Sequence, residues 1–430
     1  MTIALRLSES PAEQAQLLED ILERENMRQA LKRVTSNKGA PGVDRMSVEQ
    51  LVGYLRRHWP KIRQALLEGT YRPQPVRRVS IPKPNGGKRL LGIPTVLDRL
   101  IQQAVAQRLQ PIWDPHFSES SFGFRPGRCQ HDAMRQAKSY IADGYRNIVD
   151  IDLEKFFDQV NHDRLMSRMA TKIGDKRVLK LVRRFLTAGV MTGGLVSPAV
   201  KGTPQGGPLS PLLSNIVLDE LDKELEKRSL RFVRYADDCV IYVRSHKAAK
   251  RVMQSIARFV QRRLKLKVNP EKSAVSYPWW RPYLGFSFTS RRDDPRIRIH
   301  SKSIRRFRKR VRELTGRSCG LNIEQVIARL NTYLKGWWNY FRQAEIAAGF
   351  RSINYWIVRR LRAILWKQWK NPRTRVKELK KRGIYHRHAL FVGCSRKGPW
   401  RMSKVKWVAF ALPRAYFVTL GLFLPGPNPA

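Results

Sequence analysis

The sequence predicts a mixed α and β region over residues 1–300 and a helical, strongly basic region over 301–430. Before residue 300, short strand-like runs with Gly and Pro turns alternate with helical patterns. After it the pattern reads as helices, broken at Asn371-Pro372 and at Lys397-Gly398-Pro399. Charge divides at the same place. Residues 301–430 hold 30 of the 84 Lys and Arg, but only Glu313, Glu324, Glu345 and Glu378 of the 34 acids. Their net charge is +26, against +24 for the first 300 residues.

Residues 12–33 read as helix, followed by the Gly/Pro loop of residues 37–44. Residues 76–81 and 88–93 are strand-like around the turn signal Pro84-Asn85-Gly86-Gly87. A helix is expected next, with Thr95 as N-cap and Asp98 at capping-box spacing. Residues 148–153 form an apolar-acidic strand. Ser210-Pro211 reads as an N-cap with Pro at the first helical position, opening a helix to about Glu226. Residues 232–243 are two apolar runs broken by Asp237-Asp238, which predicts a hairpin with acids at its tip.

The 430 residues carry a net charge of +50. Such self-repulsion gives no advantage to an enzyme of small neutral metabolites, and it fits a polyanion, with nucleic acid first. Hydrophobic residues at 42% exclude low-complexity disorder, and the spread of charge excludes a simple basic tail. Seven of the eleven tryptophans lie beyond residue 300 among the basic residues, a mixture suited to phosphates and bases. The alternative is that the rings are helix core and the charges a solvated face. Cys129, Cys239, Cys319 and Cys394 form no CxxC pair, which argues against zinc and against a disulfide framework. No signal-peptide core and no run of 18 apolar residues is present, so the expectation is a cytoplasmic protein without a membrane partner.

Tyr235-Ala236-Asp237-Asp238 is the strongest chemical signal. Adjacent carboxylates on a turn repel, and a divalent cation relieves this. Alone, the pair is equally a polar hairpin tip. A second acid cluster, Asp150-Ile151-Asp152, lies 85 residues earlier, with both carboxylates on one face of a strand. Only Asp152 has an aromatic residue five positions on, at Phe157. Two-metal nucleotidyl transfer needs carboxylates converging from separate elements, which a strand acid and a hairpin pair supply. Between them, residues 201–211 form a Gly/Pro loop containing Gln205, either a structural turn or a loop facing substrate.

In this order Asp152, Phe157, Gly202-Thr203-Pro204-Gln205-Gly206 and Tyr235-Ala236-Asp237-Asp238 resemble the palm of a reverse transcriptase. Residues 77–84, 89–95 and 121–127 resemble the fingers of group II intron reverse transcriptase/maturases. Residues 37–44 resemble that family's N-terminal extension loop, Tyr283-Leu284-Gly285-Phe286 its primer-grip turn and residues 334–341 its thumb, the maturase X domain. The compact length, Gly398-Pro399-Trp400-Arg401 and Ala415-Tyr416-Phe417 look closest to the bacterial group IIC subclass. The resemblance implies an α+β right-hand polymerase, with fingers and palm, then an α-helical thumb/X domain and a small basic C-terminal domain. The expected divisions are residues 1–75, 76–290, 291–375 and 376–430.

The same resemblance implies RNA-directed DNA polymerisation with two Mg2+ ions and no zinc. Asp152, Asp237 and Asp238 would be the catalytic, metal-binding carboxylates. Lys83 and Arg89 would clamp the triphosphate, Phe157 would exclude a 2′ hydroxyl, and Gln205 would touch the nascent pair. Lys272 is a candidate general acid, with a plain phosphate contact or surface charge as the alternative. Leu284 and Gly285 would form the primer grip. The implied partners are group II intron RNA, an RNA template, a DNA primer or target and deoxynucleotides, with the protein on the nucleoid when on DNA. One departure stands out. His386 and His388 have no cysteine partners, so no endonuclease is expected. Two other readings keep parts of this picture: a free-standing reverse transcriptase in repair or defence, and a splicing cofactor with little polymerase activity.

Overall fold

A computed structural model describes residues 16–82, 87–192, 195–197, 201–203, 206–318 and 320–426. The chain divides into two compact units, Met1–Ser276 and Tyr277–Ala430.

The first unit contains two sheets. One has strands β1 (Val76–Pro82) and β2 (Lys88–Ile93), paired antiparallel with Arg77 opposite Ile93 and Ile81 opposite Arg89. Two short strands that the sequence reading did not foresee, β4 (Val190–Thr192) and β5 (Leu195–Ser197), extend it in the order β2-β1-β4-β5. Between the pairs in sequence comes β3 (Asn147–Ile151), which belongs to the second sheet. There it joins β6 (Arg231–Tyr235), β7 (Asp238–Val243) and β8 (Ala274–Ser276) in the order β6-β7-β3-β8, all antiparallel.

Thr95 caps the helix Val96–Trp113 as its spacing predicts. The Thr95 hydroxyl accepts the Asp98 N–H at 3.1 Å, and Asp98 Oδ2 accepts the Thr95 hydroxyl at 2.7 Å. The next helix start is shifted by one residue. Helix Ser210–Lys227 has Leu209 at its cap and Ser210 as its first turn residue, because the Ser210 N–H already reaches back to the Gly207 carbonyl. The N-terminal helical stretch divides into Leu17–Ile21 and Arg24–Ser36. Leu18, Ile21, Ala30, Leu100, Ile101, Ala104, Leu213 and Ile216 are fully or almost fully buried in one core with Val149 and Ile241 of the second sheet.

The second unit begins with a small hairpin, β9 (Phe286–Phe288) and β10 (Ile297–Ile299). Helices follow as the periodicity predicts, among them Ser301–Leu314, Ile323–Phe341, Ala347–Gln368 and Pro372–Lys381. Its core is aromatic: Phe307, Trp337, Phe341 and Phe350 pack together, and Trp366 is fully buried. Several tryptophans are therefore core, while Trp280 and Trp400 remain exposed. Among the described residues no helix is long and apolar enough to cross a membrane.

Candidate active site

The β6–β7 hairpin turns on two residues. Tyr235 pairs with Asp238, so Ala236 and Asp237 form the tip and Asp238 opens β7. Ala236 adopts φ 57°, a left-handed conformation that L residues rarely take. The surroundings hold it there. The Phe122 N–H donates to the Arg234 carbonyl and the Arg234 N–H to the Ser120 carbonyl, both at 2.9 Å. Gly123 lies so close that a Cβ would sit 2.2 Å from the Ala236 nitrogen. This is the structural work of the residue 121–127 motif. Its Arg125 is also structural, since the buried guanidinium bonds Asp114 and the Ser118 and Ser121 carbonyls.

Arg234 supports the turn from below, which the sequence reading missed. Its fully buried guanidinium meets Asp222 at 2.7 and 2.5 Å, Asn215 Oδ1 at 3.0 Å and the Ala236 carbonyl at 3.0 Å. Asn215 in turn donates to the Gly123 carbonyl at 2.9 Å. A signal was present. Arg234 shares the strand face of buried Phe232, and Asn215, Leu218, Asp222 and Leu225 fall on one helical stripe. Polar groups on those core-facing registers have to partner one another.

Asp152 comes from the neighbouring strand. The predicted strand ends two residues early, at Ile151, because the Asp152 N–H turns to Ser273 Oγ (3.0 Å) and its carbonyl accepts the Asn269 N–H (2.8 Å). Ile151 pairs with Cys239, so Asp152 leaves β3 at the end of the sheet where the hairpin turns. The same bonds bring in Lys272, whose Nζ stands 3.5 Å from Asp152 Oδ1.

The carboxylates feel one another. Burial and the Asp152 charge hold Asp237 above the usual carboxylate range, opposed by Arg89 and Arg234. Reduced hydration, then Asp237, Asp150 and Asp152, push Asp238 up to about 7, with Lys272 opposing. The Asp238 side chain is open to solvent by surface area. Excess negative potential on hard oxygen donors suits a divalent cation such as Mg2+. The donor chemistry fits, although among the described residues no three His, Cys, Asp or Glu side chains are gathered into a finished ion site.

The Gly202 loop is seated on the turn that carries Phe157. The Thr203 N–H donates to the Phe157 carbonyl (2.7 Å) and the Gly202 N–H to the Val160 carbonyl (2.8 Å). Gly202 has φ 93°, and a Cβ there would lie 2.8 Å from the Phe157 carbonyl oxygen. Phe157 is half-buried, edge-on to fully packed Phe156 at 5.3 Å. On the loop's far side a Cβ added at Gly206 would lie 2.8 Å from the Gly92 carbonyl oxygen of β2, the strand that carries exposed Arg89. Lys83 and Gln205 lie outside the described residues.

In the second unit, Leu284 and Gly285 form a two-residue turn between Tyr283 and Phe286, whose backbones exchange two 2.9 Å hydrogen bonds. Both turn residues are left-handed, at φ 49° and 81°. The Leu284 carbonyl accepts the Tyr340 hydroxyl at 3.0 Å, and the Gly285 carbonyl accepts Ser303 Oγ at 2.9 Å. His388 stacks on Trp407 at 4.1 Å.

Comparison with known proteins extends over both units. Residues 81–288 match the family described as reverse transcriptase (RNA-dependent DNA polymerase), and residues 304–383 match the group II intron, maturase-specific domain. Protein YkfC of Escherichia coli (strain K12) is 35% identical over 301 residues, covering 61% of this chain and 79% of that protein. Group II intron-encoded protein LtrA of Lactococcus lactis subsp. cremoris is 39% identical over 226 residues, 52% of this chain and 37% of that protein. Nuclear intron maturase 2, mitochondrial, of Arabidopsis thaliana is 29% identical over 185 residues, 34% of this chain and 25% of that protein.

Proposed function

The chain belongs to the group II intron reverse transcriptase/maturase family, and on that premise we propose that it is an RNA-directed DNA polymerase that also binds intron RNA, assisting splicing and mobility. One observation carries the polymerase reading. The register of β3, β7 and β6 delivers Asp152, Asp237 and Asp238 to one end of one sheet.

In this reading the sheet and its hairpin are the palm of a right hand, β1 and β2 belong to the fingers, and the helices after residue 300 form the thumb. Asp152, Asp237 and Asp238 would hold two Mg2+ ions, which supply activation of the primer 3′ hydroxyl and charge neutralisation at the triphosphate. Arg89, whose charge reaches Asp237, binds the triphosphate. The family resemblance assigns Lys83 to the same clamp and Gln205 to the nascent pair. Phe157 lies under the incoming sugar and excludes a 2′ hydroxyl. Lys272, at the carboxylate cluster, neutralises Asp152 and donates a proton to the departing pyrophosphate. Leu284 and Gly285 grip the primer strand through a turn whose left-handed backbone costs conformational energy and is held by Tyr340 and Ser303.

Primer extension on an RNA template with Mg2+, offering deoxynucleotides or ribonucleotides, tests the reading. DNA product from the wild type and none from Asp237→Ala is the expected result. Tight, salt-sensitive binding of structured RNA without any product would instead mark a splicing cofactor.

A further inference from the structure

A cavity of about 700 Å³ on the first unit's surface and the groove beside Trp59 are both lined by mixed-sign side chains. A third cavity, wholly within the second unit, is different. It measures about 320 Å³ and is lined by Arg312, Arg317, Trp356, Arg360, Ala363 and Trp400. Three arginines share one ring: the guanidiniums of Arg308, Arg312 and Arg360 lie 6.0, 6.0 and 5.4 Å from the Trp356 centroid. Arg359 stacks on Trp400 at 3.8 Å.

Nothing acidic neutralises this group among the described residues. Arg360 bonds only neutral oxygens, the Thr315 hydroxyl (2.5 Å) and the Arg312 and Thr315 carbonyls (3.3 and 3.0 Å). Arg308 Nε is buried without a hydrogen-bond partner. Glu313, the acid nearest in sequence, pairs with Arg310. Burial and the charges of Arg312 and Arg317 pull Arg360 below the usual guanidinium range. Cation–π contacts fix the forks in place but do not remove their mutual repulsion. A bound anion does, and arginine forks match phosphate oxygens in pairs.

We propose that this pocket is a phosphate-binding site that grips the backbone of a nucleic-acid strand at a fixed point on the second unit. The cavity is sized for a single nucleotide's phosphate and sugar, so it anchors one strand position rather than a whole duplex face. The inference rests on the nucleic-acid reading above and adds a location and a ligand class to it.

The test uses the full chain and a fluorescent RNA hairpin, with affinity measured by anisotropy from 50 to 200 mM KCl. Arg312→Gln/Arg317→Gln should flatten the log K against log salt slope by about 1.5–2, one phosphate contact per removed cation. Arg373→Gln/Arg387→Gln removes the same charge at exposed sites outside the pocket, and should change the slope less. Equal slopes for the two variants would overturn the pocket. The free-protein Tm of Arg312→Gln/Arg317→Gln should stay level or rise by about 1–3 °C, since repulsion is relieved. A large fall in Tm would make these arginines structural and also overturn the proposal. A DNA hairpin of the same sequence and inorganic phosphate as competitor separate the sources. Displacement by phosphate with no slope change on either hairpin would mean a small-anion site and sink the strand reading. Failure of wild-type primer extension bears on the polymerase alone, whereas the slope comparison bears on the pocket alone.

Discussion

Arg234 and Arg360 show how differently the two units hold the same side chain. Under the β6–β7 hairpin, Arg234 is fully buried, and Asp222 meets its charge through two hydrogen bonds while Asn215 and the Ala236 carbonyl take the rest. In the second unit, Arg360 shares Trp356 with Arg308 and Arg312 and, among the described residues, bonds only neutral oxygens. At the hairpin, the guanidinium that fixes the backbone is accompanied by a carboxylate. Around Trp356 no acid among the described residues meets the cations, and in the proposed reading a bound strand's phosphate does. The acids are distributed accordingly: 30 of 34 precede residue 301.

The largest expected effect separates the two uses. Asp237→Ala should lower DNA synthesis by about 10⁴-fold or more, with RNA-hairpin affinity within about twofold of wild type by anisotropy. A matching loss of RNA binding would break the division of labour between the units. Asp222→Asn strands Arg234 as a buried unpaired charge and should cost about 3–5 kcal/mol in urea unfolding at neutral pH. Asp222→Asn measuring below 1 kcal/mol would mean that Arg234 is not committed to its pair.

Phe157→Val keeps an apolar side chain but opens space, and should relax deoxynucleotide over ribonucleotide preference by about 10- to 200-fold in single-nucleotide incorporation. An unchanged ratio would return Phe157 to core packing beside Phe156. The smallest effect concerns acid. Asp175 is buried, which alone would raise its pKa. Hydrogen bonds from Arg177 and the Leu18 N–H outweigh that and hold it below the usual carboxylate range. A depressed carboxylate stabilises the fold above its unfolded pKa, near 4. That stability is lost as pH falls through the lower folded value. Urea midpoints should therefore decline below about pH 4, and Asp175→Asn should cost about 1–2 kcal/mol at neutral pH while flattening that decline. An unchanged acid response after Asp175→Asn would mean that the acid-sensitive carboxylate lies elsewhere.

Much of this was legible from residue order alone. Strand alternation, the Thr95 cap, the hairpin around Asp237-Asp238 and the helices after residue 300 follow from local patterns, because side-chain period and capping act over a few residues. Chemistry carried by residue type was equally local, and so the Asp152, Phe157 and Tyr235-Ala236-Asp237-Asp238 motifs could be read together. Strands β4 and β5 were not, since three-residue runs beside Gly193-Gly194 carry too little pattern to count. The early end of β3 was invisible as well, because Asn269 and Ser273 compete for the Asp152 backbone from 117 and 121 residues away. Core-facing registers of Arg234 and Asp222 are visible in the sequence, but tertiary structure decided which arginines meet a carboxylate. Arg234 and Arg360 are the same residue type in the sequence. Only folding brings Asp222 to the first and gathers Arg308 and Arg312 beside the second, and a charge's energy depends on what stands within a few ångströms of it.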